Sequence, residues 1–261
     1  MIPTATIRYL REMGRRERGA DEGLFLAEGP RLVGDLLGRI PATLVMGTAE
    51  WYAAQGCTVE ADTVLTATDS EIRRSSRLQN PRDVIAVFRR PVWHIGEAEQ
   101  ALIAGAWILS LDGVQDPGNV GAIVRTASWF GIQHIVCSED TADIFNPKTL
   151  QASMGGILNV AVHYCPLAEW LHRMQQQGIT VYGTSPHGES LFAADTFDTV
   201  GGLVLLGNEG VGIRPDIAAG ITRWISIPCY GTAGVESLNV AIAAAILTAT
   251  IRSPRLSIAR Q

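Results

Sequence analysis

The sequence predicts an α/β protein with a mostly parallel sheet that is covered by helices on both faces. From Ala106 onward, short apolar runs alternate with helical segments, which is the pattern of repeated strand–helix units. These runs contain few polar residues, as expected for strands buried on both faces. A hydrophobic fraction of 47% with only 18% charged residues indicates that the 261 residues form a well-packed globular chain.

A smaller α/β unit is predicted over residues 1–93, followed by a linker with a helix over residues 94–105. Short apolar runs indicate strands at residues 24–27, 43–46 and 84–88. Helices are indicated at residues 5–18 and 30–37. Pro30 suits the first turn of the second helix, where its missing N–H group is not needed.

The larger unit spans residues 106–261. Its strands are predicted at residues 107–111, 134–136, 180–183, 203–206 and 224–227, and its helices at residues 120–130, 167–177, 215–219 and 237–251. The last helix is apolar around its whole circumference from Val240 to Leu247, so we expect it to be buried on all sides. One of these sides is covered either by a second subunit or by its own domain, and the sequence leaves both interpretations open.

Charge is unevenly distributed along the chain. Residues 1–94 carry 13 Arg against 12 acidic residues, whereas residues 95–261 carry 8 basic and 14 acidic residues. Most of the arginines form two clusters, at positions 8, 11, 15, 16 and 18 and at positions 73, 74, 77, 82, 89 and 90. This clustering favours a local polyanion-binding face, and an ordinary solvated helix face is the alternative.

Cysteine and histidine usage restricts the class of protein. The four cysteines include no C-x-x-C pair, which argues against a zinc site or a disulfide framework and fits a reducing cytoplasm. The five histidines show no ligand spacing, so no metal site is expected. The N-terminal residues lack the apolar core of a signal peptide, and no apolar run is long enough for a membrane span. We therefore expect a cytoplasmic protein.

Three polar, glycine-rich segments follow predicted strands. The first runs from Asp112 to Gly118, and it places Asn119 where a helix would begin and Arg125 inside that helix. The second covers residues 206–212, and the third covers residues 227–231 and continues to the start of the last helix. Because ligands bind at the carboxyl ends of the strands in open α/β sheets, we expect the three segments to form one pocket.

The common nucleotide and hydrolase motifs are absent. There is no G-x-x-x-x-G-K-[ST] phosphate loop, no G-x-G-x-x-G after the first strand of the larger unit and no G-x-S-x-G elbow. The sequence therefore disfavours a phosphate-loop nucleotidase, a nicotinamide-dependent dehydrogenase and an α/β hydrolase.

The three segments resemble the three motifs of the SpoU, or TrmH-like, branch of the SPOUT RNA methyltransferases. The resemblance covers roughly residues 106–252. It rests on Asn119, Gly121 and Arg125 in the first motif, on Gly207, Asn208, Glu209, Gly210 and Gly212 in the second, and on Pro228, Ser237, Leu238 and Asn239 in the third. Residues 146–155 also resemble this family. Residues 25–29 resemble the small RNA-binding domain that often precedes the catalytic domain.

This resemblance implies a trefoil-knotted α/β domain, S-adenosylmethionine as methyl donor, and a homodimer with the pocket near the subunit interface. It implies an RNA substrate, with ribosomal RNA favoured over transfer RNA by analogy. The implied cofactor-binding residues are Leu206, Gly207, Asn208, Gly210, Ile227, Pro228, Ser237, Leu238 and Asn239. The implied catalytic residues are Asn119, Arg125, Glu209, Ser237 and Asn239, and the candidate RNA-binding residues are Arg8, Arg11, Arg15, Arg16 and Arg125.

The expected reaction is methyl transfer to a ribose 2′-hydroxyl. A guanidinium stays protonated in proteins and is a poor base, so we expect Arg125 to stabilise the developing alkoxide and to bind a neighbouring phosphate. The resemblance implies that Arg125 does so in the partner's pocket. The hydroxyl proton would pass to that phosphate, to Glu209 or to water.

Each of these residues also has a purely structural interpretation. Asn119 or Ser237 would then be a helix cap, and Glu209 would only hold its own loop. At the level of function, the alternative is an RNA-binding protein that keeps the fold without catalysis. The chain also departs from the family pattern at residues 232–235, an insertion that would reshape the methionine end of the pocket.

Overall fold

The computed structural model of the protein describes residues 1–13, 23–56, 58–193, 196–197, 201–231 and 237–253. Within these ranges the chain forms a mixed four-stranded sheet from residues 24–89 and a parallel six-stranded sheet from residues 107–226. The predicted α/β class is confirmed. Arg15, Arg16, the insertion at residues 232–235 and the end of the first predicted helix lie outside the described residues.

The smaller sheet and its helices follow one another along the chain as α1 (Thr4–Met13), β1 (Leu24–Glu28), α2 (Pro30–Leu36), β2 (Ala42–Gly47), α3 (Ala49–Gln55), β3 (Thr63–Thr66), α4 (Asp69–Ser75) and β4 (Val84–Arg89). The strands pair in the order β1-β4-β2-β3. Strand β4 is antiparallel to both of its neighbours, and β3 is parallel to β2.

Helices cover both faces of this sheet. On one face, α2 and α3 pack on β1, β2 and β4 through Leu32, Val33, Leu36 and Trp51. On the other face, α1 and α4 pack through Ile7, Leu10, Met13 and Ile72. Burial of these apolar side chains fixes the two helix layers on the sheet.

Three elements of this unit were not predicted from the sequence: α3, β3 and α4. Strand β3 lies at a sheet edge with mostly exposed side chains, so its sequence lacks the apolar alternation that indicates a strand. Helix α4 begins with a capping box in which the Thr68 hydroxyl accepts from the Glu71 N–H group and the Glu71 carboxylate accepts from the Thr68 N–H group. This Thr-x-x-Glu spacing is the sequence signal that identifies α4.

The larger sheet is entirely parallel. Its elements are α5 (Ile95–Ile103), β5 (Trp107–Leu111), α6 (Pro117–Trp129), β6 (His134–Ser138), α7 (Pro147–Ser153), β7 (Ala161–Cys165), α8 (Leu167–Gln176), β8 (Val181–Ser190), β9 (Gly202–Leu206), α9 (Pro215–Ala218), β10 (Arg223–Ser226) and α10 (Val240–Arg252). The strands pair in the order β10-β8-β9-β5-β6-β7.

Alternate side chains of the central strands point to opposite faces, and each face is covered by helices. Leu109 and Leu111 of β5 pack in one core with α6 and α10, whereas Ile108 packs in a second core with α5 and α8. The five predicted strands are present. The prediction omitted β7 at the edge of the sheet and the second half of β8, which pairs with β10 after a register shift.

The sequence placed two helix starts incorrectly. Helix α6 begins at Pro117 with Asp116 as N-cap, whose side chain accepts from the Asn119 N–H group, so Asn119 lies in the first turn. Helix α10 begins at Val240 with Asn239 as N-cap, so Ser237 precedes the helix. In both cases another nearby polar side chain satisfies the unpaired N–H groups of the first turn.

Helix α10 is also less enclosed than predicted. Val240, Ala244 and Leu247 are buried, but the side of Ile242 is exposed, with 53% of that residue accessible. The physical reason is that α10 packs on α6 and on the core of the sheet with one side only. Coverage of the opposite side by its own domain is therefore wrong for the described residues, whereas coverage by a second subunit stays a prediction.

Aromatic packing and an ion pair connect the two sheets. The ring of Phe145, between β6 and α7, lies 4.9 Å from that of Phe25 in β1 and 5.7 Å from that of Trp93. Arg90 pairs with Asp143 at 3.3 Å and lies over the Phe145 ring.

Among the described helices, none combines the length and apolar character needed to cross a bilayer.

A buried histidine pair lies on β6 and β7. His134 Nδ1 is 3.2 Å from His163 Nε2, and His163 is only 4% exposed. Burial, reinforced by the charge of His134, lowers the pKa of His163 to about 4. Burial also lowers the pKa of His134. The folded protein therefore keeps His163 neutral at a pH where an exposed histidine would be protonated.

This pair predicts a loss of stability in mild acid. Between pH 6.5 and about 4 the unfolded chain binds a proton that His163 in the folded protein does not, so the free energy of unfolding falls as the pH falls. In His163→Gln, the drop in this free energy from about pH 7 to about pH 4.5 should be smaller by about 2 kcal/mol. Urea unfolding of the wild-type protein and the variant at both pH values measures this difference. The exposed His172→Gln variant is the control, and equal drops in the two variants would contradict the prediction.

Candidate active site

A cavity of 460 Å³ lies at the carboxyl ends of β9 and β10 and beside the middle of β8, where ligands are expected in a parallel sheet. Its walls are formed by residues 184–186, 206–209 and 227–230 and by the first turns of α10. Of the predicted site residues, those that line it are Leu206, Gly207, Asn208, Glu209, Ile227, Pro228, Ser237 and Leu238. Gly210, Asn239, Asn119 and Arg125 are not part of the lining.

Residues 184–186 were missed in the sequence analysis. Thr184, Ser185 and Pro186 lie in the middle of β8, where its pairing with β10 shifts register. They come directly after the strand predicted at residues 180–183, and polar residues at that point are the signal that would have included them. The cavity thus receives residues from the ends of two strands and from the middle of a third.

The second glycine-rich segment folds into a tight loop between β9 and α9. Asn208 and Gly212 exchange two backbone hydrogen bonds of 3.0 Å, and the Asn208 side-chain oxygen accepts from the N–H groups of Gly210 and Val211. A Cβ atom on Gly207 would lie 2.4 Å from the backbone of Gly212, so only glycine permits this closure. The loop presents Glu209 at its tip.

Side chains from all three segments are joined by hydrogen bonds beside the cavity. Asn119 donates through Nδ2 to Glu209 Oε1 at 2.7 Å and accepts through Oδ1 from Asn239 Nδ2 at 3.0 Å. Asn239 Oδ1 in turn accepts from the first N–H groups of α10. This polar chain holds the Glu209 carboxylate in place and brings side chains of the three motifs together. The first segment contributes no residue to the cavity lining, so the expectation that all three segments form one pocket is confirmed only for the second and the third.

An ion-pair network built on a buried carboxylate lies beneath the loops. Asp112, which follows β5, is fully buried and accepts from the backbone N–H of Arg214 at 2.8 Å and from its Nε at 2.7 Å. Arg214 also binds Asp140 at 3.2 Å, and the Ser138 hydroxyl bridges Asp140 and the Gly113 N–H group. This network ties the ends of β5 and β6 to the end of the second segment.

The charges of this network reinforce one another. Hydrogen bonds to Asp112, together with its charge, raise the pKa of Arg214. Burial acts to raise the pKa of Asp140, but hydrogen bonds from Ser138 and Arg214 and the charge of Arg214 outweigh it and hold that pKa below its usual value. The network was not predicted, because Asp112 and Arg214 are 102 positions apart in the chain.

Arg125 lies apart from the polar chain. It is exposed on α6 and forms no ion pair with the part of the chain that the structure describes. Because Arg125 and Asn119 are six positions apart on one helix, their side chains leave it about 120° apart around the axis. Arg8 and Arg11 lie on the exposed side of α1, in the smaller unit.

The network predicts a large loss of stability when its arginine is removed. Arg214→Met leaves the Asp112 carboxylate buried without its partner and should lower the free energy of unfolding by about 3 kcal/mol. Adding Asp112→Leu should recover most of this loss, because no buried charge is left. Urea unfolding measures both effects. Arg89→Gln, which breaks the exposed pair with Asp62, is the control and should cost under about 1 kcal/mol. An equal cost for Arg214→Met and Arg89→Gln would refute the role of the network.

Comparisons with known proteins identify relatives of the whole chain. RlmP of Bacillus subtilis, a 23S rRNA (guanosine(2553)-2′-O)-methyltransferase, is 30% identical over 247 residues, which cover 87% of this chain and 88% of the relative. The structure of a TrmH-family protein from Porphyromonas gingivalis is 38% identical with a TM-score of 0.84, covering 97% of this chain and 98% of that one. The structure of an AdoMet-bound rRNA methyltransferase from Sinorhizobium meliloti is 26% identical with a TM-score of 0.80, covering 97% and 96%.

A family model supports the same assignment. The model described as the SpoU rRNA methylase family matches residues 106–249, which include all three glycine-rich segments and the polar chain between them. The chain therefore belongs to the SpoU rRNA methylase family.

Proposed function

We propose that this protein transfers a methyl group from S-adenosylmethionine to a ribose 2′-hydroxyl of ribosomal RNA. The observation that carries the proposal is the polar chain from Glu209 through Asn119 to Asn239, which joins all three family motifs beside the cavity. The relative from Bacillus subtilis, which aligns over most of both chains, is named a 23S rRNA 2′-O-methyltransferase and supports this substrate class. No comparison favours the alternative of a non-catalytic RNA-binding protein.

The cavity suits the proposed cofactor. Its volume of 460 Å³ lies within the range of small-molecule sites, and its walls combine apolar side chains with backbone and hydroxyl groups. The residues that would hold the cofactor are Leu206, Gly207, Asn208, Ile227, Pro228, Ser237 and Leu238. When bound, S-adenosylmethionine supplies an electrophilic methyl group on a sulfonium.

The chain's own residues position the ribose hydroxyl and take up its proton. Glu209 accepts from Asn119 through Oε1, which leaves Oε2 available to the substrate. We assign to Oε2 the role of accepting the hydroxyl proton, with a neighbouring phosphate or water as alternative acceptors. Asn119 and Asn239 are positioning residues, because they orient the carboxylate.

Arg125 has a separate role in this proposal. Its guanidinium stabilises the negative charge that develops on the ribose oxygen and binds an adjacent phosphate through paired N–H donors. Arg125 does not line the cavity of its own chain, so we propose that it acts at the cavity of a second copy.

A homodimer through α6 and α10 would bring Arg125 to that cavity. Both helices carry exposed apolar side chains, since Trp129 is 84% exposed and Ile242 is 53% exposed. Burying such residues is a common reason for subunit association.

The proposal also includes the trefoil knot and the division of the chain into residues 1–93, 94–105 and 106–261. It places the protein in the cytoplasm, where ribosomal RNA is expected.

The activity is tested by methyl transfer to unmodified 23S rRNA transcribed in vitro, using S-adenosylmethionine labelled in the methyl group. The label should appear on a ribose 2′-oxygen after digestion to nucleosides. Glu209→Gln should lower kcat by about 100-fold, because the amide cannot accept the proton. Its affinity for the cofactor, measured by calorimetry, should be unchanged.

Two results would contradict these assignments. Label on a base, or no transfer to any ribosomal RNA, would refute the proposed reaction. Full kcat in Glu209→Gln would remove Glu209 as the proton acceptor and leave phosphate or water in that role.

The contribution of Arg125 from a second copy predicts complementation between two inactive variants. Arg125→Ala and Asn119→Ala should each be nearly inactive alone. After the two are co-expressed in equal amounts, half of the dimers carry one intact site, so activity should return to about one quarter of the wild-type value. The recovered activity is measured as methyl transfer by the co-purified mixture. If Arg125 acted in its own chain, every heterodimer site would lack one residue and no activity would return.

A further inference from the structure

An ion pair on α6 and α7 continues the hydrogen-bonded contacts beyond Asn119. Lys148, in the first turn of α7, places Nζ 3.1 Å from Asp116 Oδ2. The other oxygen of this carboxylate, Oδ1, accepts from the backbone N–H group of Asn119 at 3.0 Å. The Asn119 side chain then donates to Glu209 Oε1 at 2.7 Å. Lys148 is therefore connected through two residues to the carboxylate that accepts the proton in the proposed reaction.

The backbone on both sides of this ion pair is held in place. Helix α7 begins with Asn146 as N-cap, whose Oδ1 accepts from the Lys148 N–H group at 2.9 Å. Helix α7 also packs closely on α6, since a Cβ atom on Gly121 would lie 2.4 Å from the carbonyl oxygen of Thr149. Exposed ion pairs usually contribute little, because two flexible side chains must be ordered. The close packing of the two helices lowers that cost, because the separation of the two backbones is already set.

Asn119 is in contact with two carboxylates. Asp116 binds its backbone N–H group, and Glu209 binds its side-chain amide. Like charges repel one another, so an uncompensated Asp116 would disfavour Glu209 at its present position. The Lys148 ammonium supplies the compensating charge, and its hydrogen bond is the main cause that lowers the pKa of Asp116. The ion pair thus keeps the cap of α6 ionised while cancelling its charge.

We propose that Lys148 is a positioning residue for methyl transfer: it holds and neutralises Asp116, which fixes Asn119 and thereby the Glu209 carboxylate. This inference rests on the proposed function. Neither Lys148 nor Asp116 belongs to the described lining of the cavity, so the pair acts through its neighbours and not on the cofactor. A displaced proton acceptor slows the reaction, because the acceptor and the hydroxyl must be aligned.

The test breaks the ion pair from each side and keeps the helix cap. Lys148→Gln removes the ammonium group. Asp116→Asn retains a side-chain oxygen that can cap α6, since Asn and Asp are similarly good N-caps, but it loses the charge that attracts Lys148. A third variant combines both changes. Arg173→Gln is the control, because it breaks a partly exposed pair with Glu99 between α8 and α5 and does not touch the cavity lining.

Methyl transfer to unmodified 23S rRNA transcribed in vitro is measured at saturating S-adenosylmethionine. Lys148→Gln and Asp116→Asn should each lower kcat by about 10-fold, with KM for RNA within about 2-fold of the wild-type value. The double variant should lose no more than either single variant, because both changes remove the same contact. Lys148→Arg keeps a cation within reach of Asp116 and should recover most of the wild-type kcat. The Arg173→Gln control should keep the wild-type kcat and KM.

A second background separates positioning from a general structural effect. In Glu209→Gln, adding Lys148→Gln should not lower kcat further, because no proton-accepting carboxylate is left to position. A general loss of structure would lower kcat by the same factor in both backgrounds. The urea midpoints of Lys148→Gln and Arg173→Gln should agree, since each variant loses one exposed cation from an ion pair.

Wild-type kcat in Lys148→Gln would overturn the inference, as would losses that multiply in the double variant. A raised KM for RNA with unchanged kcat would also overturn it, because Lys148 would then bind the RNA directly. Failure of the proposed function looks different: the wild-type protein itself would transfer no methyl group, and the inference would fall with it.

Discussion

The site depends on one buried interaction, the hydrogen-bonded ion pair between Asp112 and Arg214. A carboxylate that is fully removed from water is stable only with strong partners, and Arg214 supplies both side-chain and backbone donors. Asp112 follows β5, and Arg214 ends the loop that follows β9. The pair therefore sets the distance between two segments that adjoin the cavity, and the amide of Asn208 adds a bond to the Gly113 carbonyl.

Some side chains above this ion pair both cap a helix and take part in the polar chain. Asn239 caps α10 through its oxygen and holds Asn119 through its nitrogen, so the helix start and the polar chain are one arrangement. Asn119 in turn fixes the Glu209 carboxylate. Capping and site formation looked like competing interpretations in the sequence. An amide carries a donor and an acceptor, so it serves both.

The two units differ in charge in a way that matches different tasks. The larger unit holds the cavity and an excess of acidic residues, whereas the smaller unit exposes arginines without ion pairs on α1 and α4. Phe145 and the Arg90–Asp143 pair join the units. These contacts hold the four-stranded sheet and the six-stranded sheet against each other.

The amino-acid sequence alone was enough to predict the parallel sheet and the three segments, because apolar strands and glycine-rich turns are local patterns that depend on neighbouring residues. It also singled out Glu209, Asn119 and Asn239, which the structure joins by hydrogen bonds. It could not reveal β3 and β7, whose edge positions impose little pattern, or the N-caps Asp116 and Asn239, because several polar residues near each helix start could serve as the cap. The pairing of Asp112 with Arg214 and the open side of α10 became visible only in the folded structure. Each depends on elements distant in the chain, and only packing brings them together.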